Sequence, residues 1–226
     1  MAIAAYNAPM SADQIQNTLQ FLAIAAIPML FAITVHEAAH GWMAARFGDR
    51  TAEMMGRVTL NPVKHIDPIG TVVVPILMMV MGGFIFGWAK PVPVNGRNLR
   101  NPKRDMVPVA LAGPGANLLM SLVWALFFHL MVAVSPALGD SAQFFLGMAR
   151  IGVFFNILLM IFNLLPIQPL DGGRVLRGLV PESFGQRLDA LERYGLIIVV
   201  GLLVLGLFGP VIRVALRLTA LLGVPA

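Results

Sequence analysis

Not one of the 226 residues is cysteine. That excludes disulfide bonds and thiolate metal ligands, and leaves His, Asp and Glu as the side chains able to hold a zinc-type ion. Charge is scarce as well: Asp, Glu, Lys and Arg make up 12% of the chain against 58% hydrophobic residues. This balance excludes the soluble globular class and points to an all-α polytopic membrane protein. At this length about five to six transmembrane helices of roughly 20 residues fit with short loops, so a single domain over residues 1–226 is expected. Residues 1–17 hold neither Lys nor Arg. The basic start of a cleavable signal peptide is therefore lacking, and the first apolar segment is expected to be retained. The net charge of +5 lies on connections between apolar runs and forms no basic stripe. It reads as topology and attraction to membrane lipid, and excludes nucleic acid as a partner.

What the chain does have is long apolar runs, near 18–40, 66–87, 105–135, 145–168 and 194–225, the last long enough for two crossings around Gly209-Pro210. Positive charge gathers in two connections, Arg46, Arg50, Arg57 and Lys64 in one and Lys90, Arg97, Arg100, Lys103 and Arg104 in the next. Lys and Arg bias marks the cytoplasmic side, and a full crossing by 66–87 would put these two loops in opposite compartments. The β-branched stretch Gly70-Thr71-Val72-Val73-Val74-Pro75, followed by Gly82-Gly83, instead suits a re-entrant or strand-containing segment after the first helix. A short tilted helix is the alternative. The connection near 136–144 holds no Lys or Arg, as an external loop should.

Chemistry concentrates where the first apolar run ends, in His36-Glu37-Ala38-Ala39-His40. Two histidines four apart share a helical face and can share a metal ion, and the glutamate beside the first can take a proton from a water on that metal. A second polar group interrupts the fourth apolar run, Asn163-Leu164-Leu165-Pro166-Ile167-Gln168-Pro169-Leu170-Asp171-Gly172-Gly173-Arg174. Two prolines and two glycines break the helix there, so Asp171 can turn toward a cavity. The plainer reading of Asp171 is a cap on the following helix. Parity favours a ligand role: if 66–87 does not cross, Asp171 returns to the membrane face that carries the histidines, whereas one more crossing moves it about 30 Å away. Should Asp171 fail as a ligand, Asp67 is next.

HEAAH and NLLPIQPLDGG, in this order and on separate membrane helices, resemble the site-2 protease family of intramembrane zinc metalloproteases, peptidase family M50. Ala112-Gly113-Pro114-Gly115-Ala116-Asn117 is similar to the family's GPxxN segment, and Asn61-Pro62-Val63-Lys64-His65-Ile66-Asp67-Pro68 to its compact branch without PDZ or CBS domains. The resemblance implies one zinc ion per chain held by His36, His40 and Asp171, and Glu37 as the catalytic acid and base. It also implies Asn117 as a catalytic group touching the substrate backbone or the developing oxyanion. The implied substrate is a transmembrane protein, cut in or near its membrane segment. A non-catalytic scaffold and a metal-handling transporter that keep the ligand set are the alternatives. A regulatory membrane partner or a homo-oligomer stays open, and the expected location is a multi-pass position in a prokaryotic plasma membrane, with the site toward the cytoplasm.

The other polar groups carry plainer expectations. His65 and Asp67 read as a helix cap or interfacial anchor, and His129 as a hydrogen bond to a neighbouring helix. Met78, Met79 and Met81 read as packing or lipid contact, Arg174 and Arg177 as headgroup partners, and Asn163 and Gln168 as support for the metal shell. The segment around Val92 and Val94 is expected to offer a strand edge to an unwound substrate peptide.

Overall fold

The computed structural model describes residues 12–74, 87 and 89–225, and all regular structure among them is helical. Helix α1 (Ala12–Arg46) is followed by one turn, α2 (Thr51–Met54). A 3-10 turn (Pro62–His65) and a π turn (Pro68–Val73) come next, and then the long helix α3 (Pro102–Leu138). Helix α4 (Ser141–Asn163) returns beside α3, and three further helices complete the chain: α5 (Asp171–Leu179), α6 (Glu182–Val204) and α7 (Gly209–Leu221).

Three described helices are long and apolar enough to cross a membrane: Thr18–Arg46, Pro102–Leu138 and Ser141–Asn163. The chain is a helical integral membrane protein. The larger expected number counted 66–87, most of which, with Met78, Met79 and Met81, lies outside the described residues. It also counted two crossings in 194–225. That run does break where Gly209-Pro210 suggested, but α7 has only 13 residues, fewer than the roughly 20 that a helical span requires.

The three long helices pack on one another along faces of small residues. On α1 the buried positions Ala25, Pro28, Ala32, His36, His40 and Ala44 recur every three or four residues, the spacing that keeps one face inward. On α3 the matching row is Gly113, Asn117, Ser121, Ala125 and Phe128. Small side chains let helix axes approach closely inside a membrane, where apolar surface alone gives no driving force. The outward positions of α3, among them Leu119, Val123 and Leu126, are exposed, as a lipid-facing surface requires. His129 lies near the far end and reaches the Leu222 carbonyl after α7 at 2.9 Å, which is the helix-to-helix bond expected of it.

The segment expected to hold a strand begins as a helix. Asp67 caps it, accepting from the backbone N–H groups of Ile69 and Gly70, and Pro68 supplies the fixed φ that suits a first helical position. The local cap thus overrides the β-branched composition of 70–73. The path through 75–86 and 88 lies outside the described residues, yet its ends meet: the Lys90 N–H donates to the His65 carbonyl at 2.9 Å.

Both basic connections accordingly lie at one end of the bundle, tied together by Asp49. Its carboxylate accepts from the N–H groups of Thr51 at 3.1 Å and Asn95 at 2.6 Å, and from the Asn98 side chain at 3.0 Å. The Arg100 N–H also reaches the Phe47 carbonyl at 3.0 Å. Burial works against the Asp49 charge, but the donors from Thr51, Asn98 and Asn95 outweigh it and hold the pKa below its ordinary value. A depressed folded-state pKa gives stability that is complete above the unfolded value of about 4 and is lost as pH falls through the folded one. Asp49→Ala is expected to lower stability by about 1.5–3 kcal/mol near neutrality. In detergent melts of the two proteins, the gap should narrow as pH drops below about 4.

Candidate metal centre

His36 and His40 stand one turn apart on α1, both nearly buried, with their rings at 84° to each other. Each ring is oriented through Nδ1. The His36 Nδ1–H donates to Asn117 Oδ1 at 2.6 Å, and the His40 Nδ1–H donates to the Val109 carbonyl at 2.8 Å. Neither partner can reverse its role. A carbonyl only accepts, and the Asn117 amide nitrogen already gives both of its hydrogens, to the Ala32 carbonyl at 3.1 Å and Asn156 Oδ1 at 2.9 Å. These contacts fix the amide orientation and hence both histidine tautomers.

With hydrogen on Nδ1, the neutral form of each ring presents a bare lone pair on Nε2, and the two Nε2 atoms lie 3.0 Å apart. Asp171 Oδ2 completes a triangle, 3.2 Å from each, and is itself buried without a hydrogen-bond partner. Three converging acceptors with no hydrogen between them repel one another unless a cation joins them. Ligand atoms about 2.0–2.1 Å from a tetrahedral zinc stand about 3.3 Å apart, so the observed triangle fits that ion. The residue set is compatible with zinc in kind as well as in spacing, since imidazole nitrogens and a carboxylate are its ordinary ligands when thiolates are lacking.

Asp171 reaches this position because the chain before it folds back tightly. It is the first residue of α5, preceded by Leu170 in extended backbone, and no side chain caps this helix, so Asp171 is not spent as a cap. A Cβ at Gly172 would run into the carbonyl oxygens of Leu164 and Leu165, and one at Gly173 would press on the Ile167–Gln168 backbone. The two glycines therefore permit the close approach that aims Asp171. Gly113 does the same from α3, where a Cβ would fall on the Nε2 of His40 and the Cε1 of His36.

Glu37 and the three ligands line a cavity of about 120 Å³ that is closed on one side by Pro91, Val92 and Val94, with Asn163 and Arg174 also on its wall. Glu37 is held by the chain: its Oε2 accepts the Val92 N–H at 2.6 Å. That N–H is therefore not free to pair with a substrate strand, contrary to the edge role expected of Val92. Asn117, read as a substrate or oxyanion contact, is fully buried behind His36 and is not part of the cavity lining. Asn163 donates to the Leu159 carbonyl, and neither it nor Gln168 bonds to the ligand trio. Arg174 faces the cavity, and Arg177 ties α5 to α6 through Asp189 at 2.8 Å and Glu182 at 2.6 Å. His65 is buried, its ring against the Thr59 carbonyl. The supports that sequence reading missed are Asn156, visible as an amide inside an apolar run, and two backbone groups, the Val109 carbonyl and the Val92 N–H, which no side-chain pattern reveals.

The sequence profile of peptidase family M50 matches residues 24–149 and 130–207. The chain is 41% identical over 175 residues to YwhC of Bacillus subtilis, named as a candidate zinc metalloprotease, with 76% of each protein covered. It is 33% identical to Rip2 of Mycolicibacterium smegmatis, covering 77% of this chain and 64% of that one. To Rip2 of Mycobacterium tuberculosis it is 28% identical, covering 74% and 61%. Both Rip2 proteins are likewise named as candidate zinc metalloproteases, and the chain spans less than two thirds of their length. No solved structure matches significantly.

Two substitutions test the metal triangle without touching a ligand. Asn117→Leu leaves the His36 ring without its acceptor and is expected to weaken zinc affinity about 10–100-fold, measured by chelator competition. Gly113→Val, which would put side-chain atoms on the ligand rings, is expected to abolish stoichiometric zinc by elemental analysis of folded protein.

Proposed function

This chain belongs to peptidase family M50 and is a zinc metalloprotease, and from that premise we propose that it hydrolyses peptide bonds in or near transmembrane segments of other membrane proteins. His36, His40 and Asp171 hold one zinc ion and Glu37 is the general acid and base. The observation that carries this reading is the triangle of proton-free acceptors with a carboxylate on the same cavity wall. A protein that only stores or moves a metal has no use for that carboxylate.

Bound zinc supplies a Lewis acid, which polarises a carbonyl and brings the pKa of water toward neutrality. Glu37 then takes the proton from water as the water attacks the scissile carbonyl carbon, and delivers a proton to the departing amine nitrogen as the C–N bond breaks. The Val92 N–H keeps one carboxylate oxygen in place during both transfers. Asn117 acts behind His36, fixing its tautomer, and Asn156 holds Asn117 in turn. This role suits its spent amide hydrogens better than contact with an oxyanion.

The surroundings support this substrate class. The ligands sit within or beside apolar helices, so a peptide bond reaching them comes from the membrane or its surface. An intact helix is about 10 Å across and conceals its carbonyls in its own hydrogen bonds, so the substrate must unwind locally before it enters a cavity of about 120 Å³. The two basic connections at this end of the bundle support a cytoplasmic position for the site.

Glu37→Gln is expected to retain zinc at one ion per chain and to lose cleavage of a membrane-embedded reporter by at least about 10²-fold. His36→Ala should lose both. Cleavage at the original rate by metal-replete Glu37→Gln protein would overturn the assignment of Glu37, and zinc bound without any cleavage by the original chain would favour a scaffold or transporter.

A further inference from the structure

Arg57 is a buried cation with an unusual set of partners. It is 7% exposed and makes no salt bridge among the described residues. Its Nη2 donates to the Lys90 carbonyl at 2.8 Å and to the Pro91 carbonyl at 3.4 Å, and its Nε is buried without a partner. A guanidinium removed from water with only backbone oxygens for company is costly to keep, so its partners call for an explanation.

The chain places Arg57 with care. Gly56, at φ 64°, ends α2: its N–H bonds to the Glu53 carbonyl and the Arg57 N–H to the Ala52 carbonyl. This is the paired closure that a left-handed glycine makes after a helix, and it turns Arg57 back toward the bundle. Val58 then meets Val92 on α1 at Gly41, where an added Cβ would lie 2.9 Å from Val58 Cγ2 and 3.0 Å from Val92 Cγ1. Gly41 is one turn beyond Glu37. The segments 57–58 and 91–92 therefore dock together on the helix that carries Glu37.

The Pro91 carbonyl and the Val92 N–H belong to one planar peptide unit, whose two polar ends point in opposite directions. The guanidinium stands at the oxygen end, and Glu37 Oε2 accepts from the N–H end at 2.6 Å. We infer that Arg57 is a positioning residue for Glu37, acting through the Pro91–Val92 peptide: the cation holds that peptide in place and orients its dipole, and the peptide N–H holds the carboxylate. The remaining anchors of the loop, Lys90 N–H on the His65 carbonyl and Asn95 N–H on Asp49, fix its two ends but leave the middle to Arg57.

This inference rests on Glu37 being the general base. The test is a comparison of full-length Arg57→Met, Arg57→Lys, Glu37→Asp and the Arg57→Met/Glu37→Asp double variant with the original protein. The readouts are kcat and KM on the membrane-embedded reporter, zinc content and the fraction of folded protein. Arg57→Met is expected to lower kcat about 10–100-fold, with KM changed less than about twofold and zinc still at one per chain. Arg57→Lys, which keeps the charge, should recover part of that loss. In Glu37→Asp the shortened carboxylate draws back from the Val92 N–H, so adding Arg57→Met should cost less than about twofold further, because two residues acting as a unit are not additive. Unchanged kcat in Arg57→Met, a fall that tracks lost zinc or lost folded protein, or fully multiplicative effects in the double variant would overturn the inference. If Glu37→Gln is active the reading of the site falls; if it is inactive while Arg57→Met is fully active, only the role of Arg57 falls.

Discussion

Three lone pairs that point at one another without a proton between them are the constraint around which this molecule is organised. Two imidazole nitrogens and a carboxylate oxygen, each about 3 Å from the others, lie buried among apolar helices. Left alone, such an arrangement is repulsive and poorly solvated; a divalent cation turns each repulsion into a bond. What the fold must do is remove every competing solution. Asn117 and the Val109 carbonyl occupy the far side of each ring, so that the single hydrogen of a neutral imidazole sits on Nδ1 and leaves Nε2 as the acceptor. The backbone before α5 denies Asp171 the capping role that its position would otherwise invite.

Close packing makes this possible. Within a membrane, helices gain little by hiding apolar surface from one another, so contact depends on shape and on polar bonds between helices. Gly113 brings α3 directly against the ligand rings. The row that follows it on α3 begins with one amide, Asn117, and continues with the small side chains of Ser121 and Ala125; this amide, through Asn156, links α1, α3 and α4 in a single buried hydrogen-bond chain. The same groups that hold the helices together therefore also orient a metal ligand, and stability and chemistry share one set of contacts. Opposite them, the connection from Lys90 to Asn95 forms the other wall and bonds to Glu37. Glu37, the proposed general base, is thus steadied by a segment that lies more than fifty positions away in the chain.

Much of this was legible from residue order, and the reasons differ from group to group. The i, i+4 histidines announce themselves because a helix converts that spacing into proximity. Asp171 is legible because an ionised group in an apolar run needs a partner, and because counting crossings brings it to the right depth. The fate of the strand-like stretch at 70–73 was not: Asp67 and Pro68 form a local helix start that outweighs β-branched composition. Arg177 shows the limit of reading a charge by itself. Its partners Glu182 and Asp189 lie on the next helix, and only the angle between α5 and α6 makes them neighbours.

Residue order by itself determined the membrane setting and singled out His36, His40 and Asp171, a trio able to hold a metal ion, with Glu37 beside them. Each of these depends on a local rule, either the helical period or the cost of charge in an apolar run. Only the tertiary structure decided that Asn117 faces a histidine ring, that backbone groups of Val109 and Val92 hold His40 and Glu37, and that Arg57 lies behind the loop over Glu37. Backbone carbonyls and amides are the same at every position, so a sequence carries no mark of which of them will be brought to a given side chain. That selection is made by how the helices pack.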